Sequence, residues 1–169
     1  MLIRGNLWTL YGEQQSLATI IKSFMKLSEH FDLREFTHSA TAQRQGIANV
    51  PGQAEVENLK ALCRHVLEPL REHAGQPVII SSGYRSPALN GAVHGAEHSQ
   101  HMRGEAADIH VPNNDTGNEW LAWMMDHLVF DQLIKERQRR DSPTFWIHVS
   151  YRRDGGNRQM VMELVKTKN

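Results

Sequence analysis

The sequence predicts an α+β fold, an antiparallel β-sheet with helices packed on it. Three observations carry that prediction. Two stretches place apolar residues every three or four positions, as amphipathic helices do. Short β-branched or alternating runs read as strands. Most of these runs cluster toward the end of the chain, after the helices, which argues for a segregated antiparallel sheet. With 169 residues and 40% apolar content, the chain can bury one sizeable core.

In chain order, residues 1–24 form a patchy apolar segment without a partner pattern, and the domain is expected to begin near Met25 and run to residue 169. The earlier residues read equally as an upstream extension, a tag-like addition or a weakly packed helix. "FDLREF" is a short helical entry, followed by the polar loop "THSATAQRQGIANVPG". From Ala54 to His73, Val56, Leu59, Leu62, Val66 and Leu70 mark an amphipathic helix, with Pro69 expected to kink or shorten its last turn and Gly75 to stop it. "QPVIISSGY" supplies a strand. In "RSPALNGAVHG", Ser86 can cap a short helix with Pro87 at its first position and Gly95 just past its end.

"EAADIHV" reads as a second strand. "TGNEWLAWMMDHL" opens with Thr116 and Glu119 at capping-box spacing and carries Trp120, Leu121, Met124 and Leu128 on one face. "FDQLIKE", "TFWIHVSY" and "RQMVMEL" then give three short strands, the last reached through the hairpin signal "RDGGN". There are no internal repeats, low-complexity tracts or evident linkers.

Composition narrows the function. Lysine plus arginine and aspartate plus glutamate balance at 19 each, so no net field draws the chain to nucleic acid or an anionic membrane. The single cysteine, Cys63, has no internal disulfide partner and falls on the apolar side of a helix, as a buried, inert thiol does. The N-terminus has no continuous apolar core of the secretory or membrane-spanning kind, so the expectation is a cytoplasmic product, not inserted in a membrane, and a monomer.

Ten histidines are many for this length and direct attention to metal. In "SQHMRGEAADIH", the small residues Gly104, Ala106 and Ala107 let the loop histidine His101 fold back toward Asp108 on the strand after it. Zinc takes imidazole nitrogen and carboxylate oxygen, and a catalytic site keeps three protein ligands with a fourth position open. His148 is the candidate third. In an extended "FWIHVSY", Phe145, Ile147 and Val149 share one face, while Trp146, His148 and Ser150 share the other.

"SSGYRSPALNGAVHGAEHSQHMRGEAADI", with "FDQLIKE" and "WIHVSY", closely resembles the zinc D-Ala-D-Ala carboxypeptidase-like peptidases of the M15 family, particularly the branch found in phage endolysins and bacterial cell-wall enzymes. The resemblance covers about residues 27–151. Its S-x-H-x-x-G-x-A-x-D core, here Ser99, His101, Gly104, Ala106 and Asp108, is shared with vancomycin-resistance D-Ala-D-Ala dipeptidases and the hedgehog signalling domain.

The resemblance implies that His101, Asp108 and His148 hold one Zn²⁺ per chain, and that Glu136 is the carboxylate that takes a proton from the attacking water. Relatives commonly carry Glu-x-Trp-His, where this chain reads "SPTFWIH", which makes Asp141 the alternate to Glu136. Arg85 matches the arginine that steadies substrate near the scissile bond. Ser99 is assigned to positioning the loop or binding substrate, and Tyr84 to walling the cleft or packing, with His94, His98 and His110 outside the ligand set.

The implied activity is hydrolysis of an amide in peptidoglycan stem peptides, by a D-Ala-D-Ala carboxypeptidase or an endolysin-type endopeptidase. An enzyme of that kind would reach the wall by another route than a signal peptide, such as a phage holin. The rivals are a zinc-binding interaction module and a phage structural domain. Glu136 and Arg85 beside the ligands favour the enzyme.

Overall fold

The computed structural model of the protein describes residues 25–166. The expectations for residues 1–24 lie outside the described residues. The chain enters through α1 (Leu33–Thr37), where the Glu35 carboxylate accepts the Asp32 backbone N–H and Leu33 and Phe36 are buried. A second short helix, α2 (Ala40–Gln45), comes next, where the sequence reads as loop. Ser39 Oγ caps it by accepting from the Ala42 N–H, and Gly46 ends it in the left-handed conformation (φ 63°). Only Ala42 of this helix is buried, so it carries no apolar stripe for a periodicity reading to detect.

The long amphipathic segment is two helices, α3 (Gln53–Leu62) and α4 (Glu68–Ala74), joined without a break by a π-helical turn at Cys63–Leu67. Pro69 explains the turn: it has no N–H to return to the preceding turn, and the backbone widens just ahead of it, where Glu68 N–H bonds back to Cys63 O. The helix therefore continues past the proline and stops at Gly75 (φ 60°). Ser86 and Pro87 open α5 (Pro87–Ala92), with Leu89 N–H bonded to Ser86 Oγ. The last helix, α6 (Asn114–His127), begins two residues earlier than Thr116 because Asn113, not Thr116, is the cap: its Oδ1 accepts the Thr116 N–H.

Five strands, β1 (Ile79–Ser82), β2 (Ala106–His110), β3 (Gln132–Arg137), β4 (Trp146–Ser150) and β5 (Met160–Val165), form one sheet in the order β1-β2-β4-β3-β5. The first three pairings are antiparallel, as the fold class requires. The expected hairpin at "RDGGN" is not formed: β5 does not pair with β4 but lies parallel to β3, on its far side. The connecting residues are fastened instead by fully buried Asp131, just ahead of β3, which takes Arg158 Nε at 2.8 Å and Nη2 at 2.6 Å.

The sheet has two unlike faces. Ala107, Ile109, Leu133, Ile147 and Val149 point into the core, where Val56, Leu59, Leu62, Leu70, Trp120 and Met124 of the helices meet them. Residues one position away point to the opposite face and line a cleft. Among the described residues no helix is long and apolar enough to cross a membrane. Cys63 is buried, and burial pushes its thiol pKa far above the ordinary value, so it is unreactive.

Candidate metal centre

Strand register places two of the sequence candidates side by side: Asp108 on β2 is directly opposite His148 on β4. His148 Nδ1 is 2.9 Å from Asp108 Oδ1. The third comes from the 3₁₀ turn Gln100–Arg103, whose His101 Nε2 lies 3.3 Å from both Asp108 Oδ1 and His148 Nδ1. Two glycines allow this approach. Gly104 ends the turn in the left-handed conformation (φ 67°), and a side chain there would collide with the Glu55 carbonyl of α3. At Gly83 a side chain would collide with the Phe36 backbone, while its carbonyl accepts a hydrogen bond of 2.7 Å from His101 Nδ1.

That last bond fixes the tautomer. A carbonyl only accepts, so Nδ1 carries the proton and Nε2 turns its lone pair toward Asp108 and His148. Burial lowers the His101 pKa, against the pull of Asp108, and so favours the neutral ring. Burial works to raise the Asp108 pKa, but the polar groups facing the carboxyl outweigh it and hold it well below its ordinary range. With the Arg85 guanidinium 2.9 Å from its other oxygen, Asp108 is ionised beside a neutral His101. Two imidazole nitrogens and one carboxylate oxygen, all from buried residues and within 4.8 Å of one another, fit the donor set of a zinc site.

Arg85 is tied into this group. Its Nε and Nη2 donate to Ser82 Oγ at 3.0 and 2.9 Å, and Nη2 also donates to Asp108 Oδ2. Ser82, opposite Asp108 in the β1–β2 register, therefore helps orient a candidate ligand and was not picked out from sequence. Its signal was present: three residues ahead of Arg85, in a strand, it had a fixed place relative to both.

Glu136 is on the cleft face of β3, in the alternation that puts Ile134 opposite His148, and it is 8% exposed. Its Oε2 is buried without a hydrogen-bond partner; Lys166 Nζ lies 3.3 Å away, close enough to attract as a charge but not aligned as a donor. The structure does not bring Asp141 to the cleft; it is exposed and pairs with Arg139 at 3.2 Å. Ser99 lines the cleft, and its backbone carbonyl accepts the Met102 N–H that begins the 3₁₀ turn. Tyr84 packs in the core and lines a smaller side cavity rather than the main cleft. His94 and His98 sit at the cleft, and exposed His110 does not reach it.

The cleft has a volume of about 880 Å³. Sequence reasoning also missed the contribution of β5 and of Lys166 just past its end: Met162, Leu164 and Lys166 all line this space. Their alternation is visible in the sequence, but which sheet edge receives the strand is not.

A search of curated proteins gives no match. The sequence of residues 29–150, however, matches the family model described as Peptidase M15. That span runs from ahead of α1 to the last residue of β4 and contains His101, Asp108, Glu136 and His148. With most of its length inside the match, the chain belongs to the M15 peptidase family.

Proposed function

We propose that this M15 peptidase is a zinc enzyme that hydrolyses an amide bond in peptidoglycan stem peptides. One observation carries the reading: the three converging donor atoms of His101, Asp108 and His148 share a cleft with a buried carboxylate, Glu136, one of whose oxygens has no hydrogen-bond partner. His101, Asp108 and His148 would hold the ion. Bound there, zinc supplies Lewis acidity, acidifying water and polarising the scissile carbonyl.

The chain's own residues do the remaining work. Glu136 accepts a proton from the attacking water and returns it to the leaving nitrogen. Arg85 spends Nε and Nη2 on Ser82 and Asp108, which leaves Nη1 to donate to the carbonyl oxygen as negative charge develops there. Ser82 and Gly83 act one step removed, the first by orienting Arg85 and the second by orienting His101. Ser99 sets the turn that carries His101. Residues 25–169 form the peptidase unit, with residues 1–24 as an addition to it. A phage holin is the proposed route to the wall.

The test is to digest purified muropeptides with zinc-loaded protein and identify the fragments by mass spectrometry. New peptide termini within the stem or cross-bridge, absent when Glu136 is replaced by glutamine, are the expected result. Full zinc binding without any cleavage would leave an interaction module instead.

A further inference from the structure

Beside the main cleft lies a second cavity of about 370 Å³, and the two share Arg85, Val93 and Lys166 in their walls. Their chemistry differs. The main cleft is lined by five carboxylates, five arginines or lysines and four histidines, whereas no aspartate or glutamate lines the side cavity. Its polar lining is the His38 imidazole and hydroxyls, among them Ser39, Thr41, Ser81 and Ser82, with the two cations where it meets the main cleft. The carboxylates that face these cations, Asp108 on Arg85 and Glu136 near Lys166, line the main cleft and not the side cavity, so no acid inside the side cavity repels an anion. Pockets for small ligands start at about 300 Å³, so this one has room for the end or one side chain of a peptide.

Lys166 is the less committed of the two cations. Its backbone N–H bonds to Arg137 O at 2.9 Å, which extends the β3–β5 register by one residue and directs it to the cleft side. Its Nζ rests 4.8 Å from the centre of the Trp146 ring and 3.3 Å from Glu136 Oε2, and the side chain is 55% exposed. A half-solvated ammonium without an aligned acceptor can exchange partners at little desolvation cost. Lys166 also lies beyond the span that matches the family.

We infer that the side cavity is a subsite for a carboxylate on the substrate, and that Lys166 is the residue that selects for it. This deepens the peptidase reading and rests on it. If the carboxylate is the peptide's own C-terminus, the bond at the metal centre is the last one and the enzyme is a carboxypeptidase. If the carboxylate is on a side chain, an internal bond is placed there.

Binding separates these cases without turnover. The full chain carrying Glu136→Gln, loaded with zinc, is titrated calorimetrically with three probes. They are N-acetyl-D-alanyl-D-alanine, its C-terminal amide, and an N-acetyl dipeptide amide whose only carboxylate is on its second side chain. One carboxylate probe is expected to bind about tenfold or more tighter than the neutral amide, as a charge-assisted hydrogen bond provides. Adding Lys166→Met is expected to erase that difference, and Lys166→Arg to keep it, with the thermal midpoint unchanged in both. Equal affinity for all three probes, binding of none, or a preference that survives Lys166→Met overturns the subsite. Muropeptide cleavage by the parent is read separately, so a carboxylate preference without cleavage overturns the peptidase reading and leaves the subsite standing.

Discussion

The two faces of β4 differ by one residue of register and serve different ends. Ile147 and Val149 point into the helices and are fully buried among aliphatic side chains, while His148 between them points to the cleft, opposite Asp108 on one neighbouring strand and Ile134 on the other. The same division runs along β2 and β3. The sheet thus carries a polar, charge-dense group on one side while its other side is packed against the helices. Substitutions on the core side should cost stability, and substitutions on the cleft side should cost metal or chemistry with the fold retained.

The largest effect should come from the helix layer that backs the sheet. Trp120 is 1% exposed and packs in the core. Trp120→Ala should lose about 3–5 kcal/mol of folding free energy, measured by urea denaturation. Wild-type-like stability would mean the two faces are not mechanically linked in this way.

On the cleft side, Glu136→Gln keeps size and removes basicity, so turnover should fall by roughly 10²-fold or more while zinc content and thermal midpoint hold. That result would sharpen the contrast, since Glu136 and Trp120 are both buried yet would fail by different assays. Hydrolysis of stem peptides at the parent rate would remove Glu136 from the chemistry. His101→Ala or His148→Ala should instead lose zinc, from about one ion per chain to little, because two remaining ligands hold it poorly. Circular dichroism should show the fold intact, and full occupancy in either variant by elemental analysis would break the ligand assignment.

The contrast also explains what could be read from sequence. Strand alternation is local: "WIHVSY" assigns His148 a face without knowledge of any neighbour, and the small residues between His101 and Asp108 make the return of the loop legible. Cap competition is local too but subtle, and Asn113 prevails over Thr116 by capping three residues earlier. Sheet order is not local. Nothing in "RDGGN" says that the chain will pass β4 by and run parallel to β3, which is why Met162, Leu164 and Lys166 enter the cleft unannounced. Likewise α2 is defined by Ser39 and Gly46 at its ends rather than by an apolar face.

The smallest effect concerns the latch that makes that last crossing possible. Asp131 is fully buried and accepts from Arg158 Nε, Nη2 and backbone N–H, and these hydrogen bonds, led by those of the side chain, hold its pKa below the ordinary value against the opposing effect of burial. A carboxyl whose pKa is lowered on folding contributes stability that is present above its unfolded value of about 3.9 and is lost as pH falls through the folded value. Arg158 is half exposed, so solvent screens the pair, and Asp131→Asn should cost on the order of 1 kcal/mol at neutral pH. The parent and variant stability curves should start to converge as pH falls through about 3.9 and meet only below the lower folded value, where the parent carboxyl has lost its charge as well. If the gap between them stays constant down to acid pH, the latch acts through shape rather than charge, and the placement of β5 owes nothing to this ion pair.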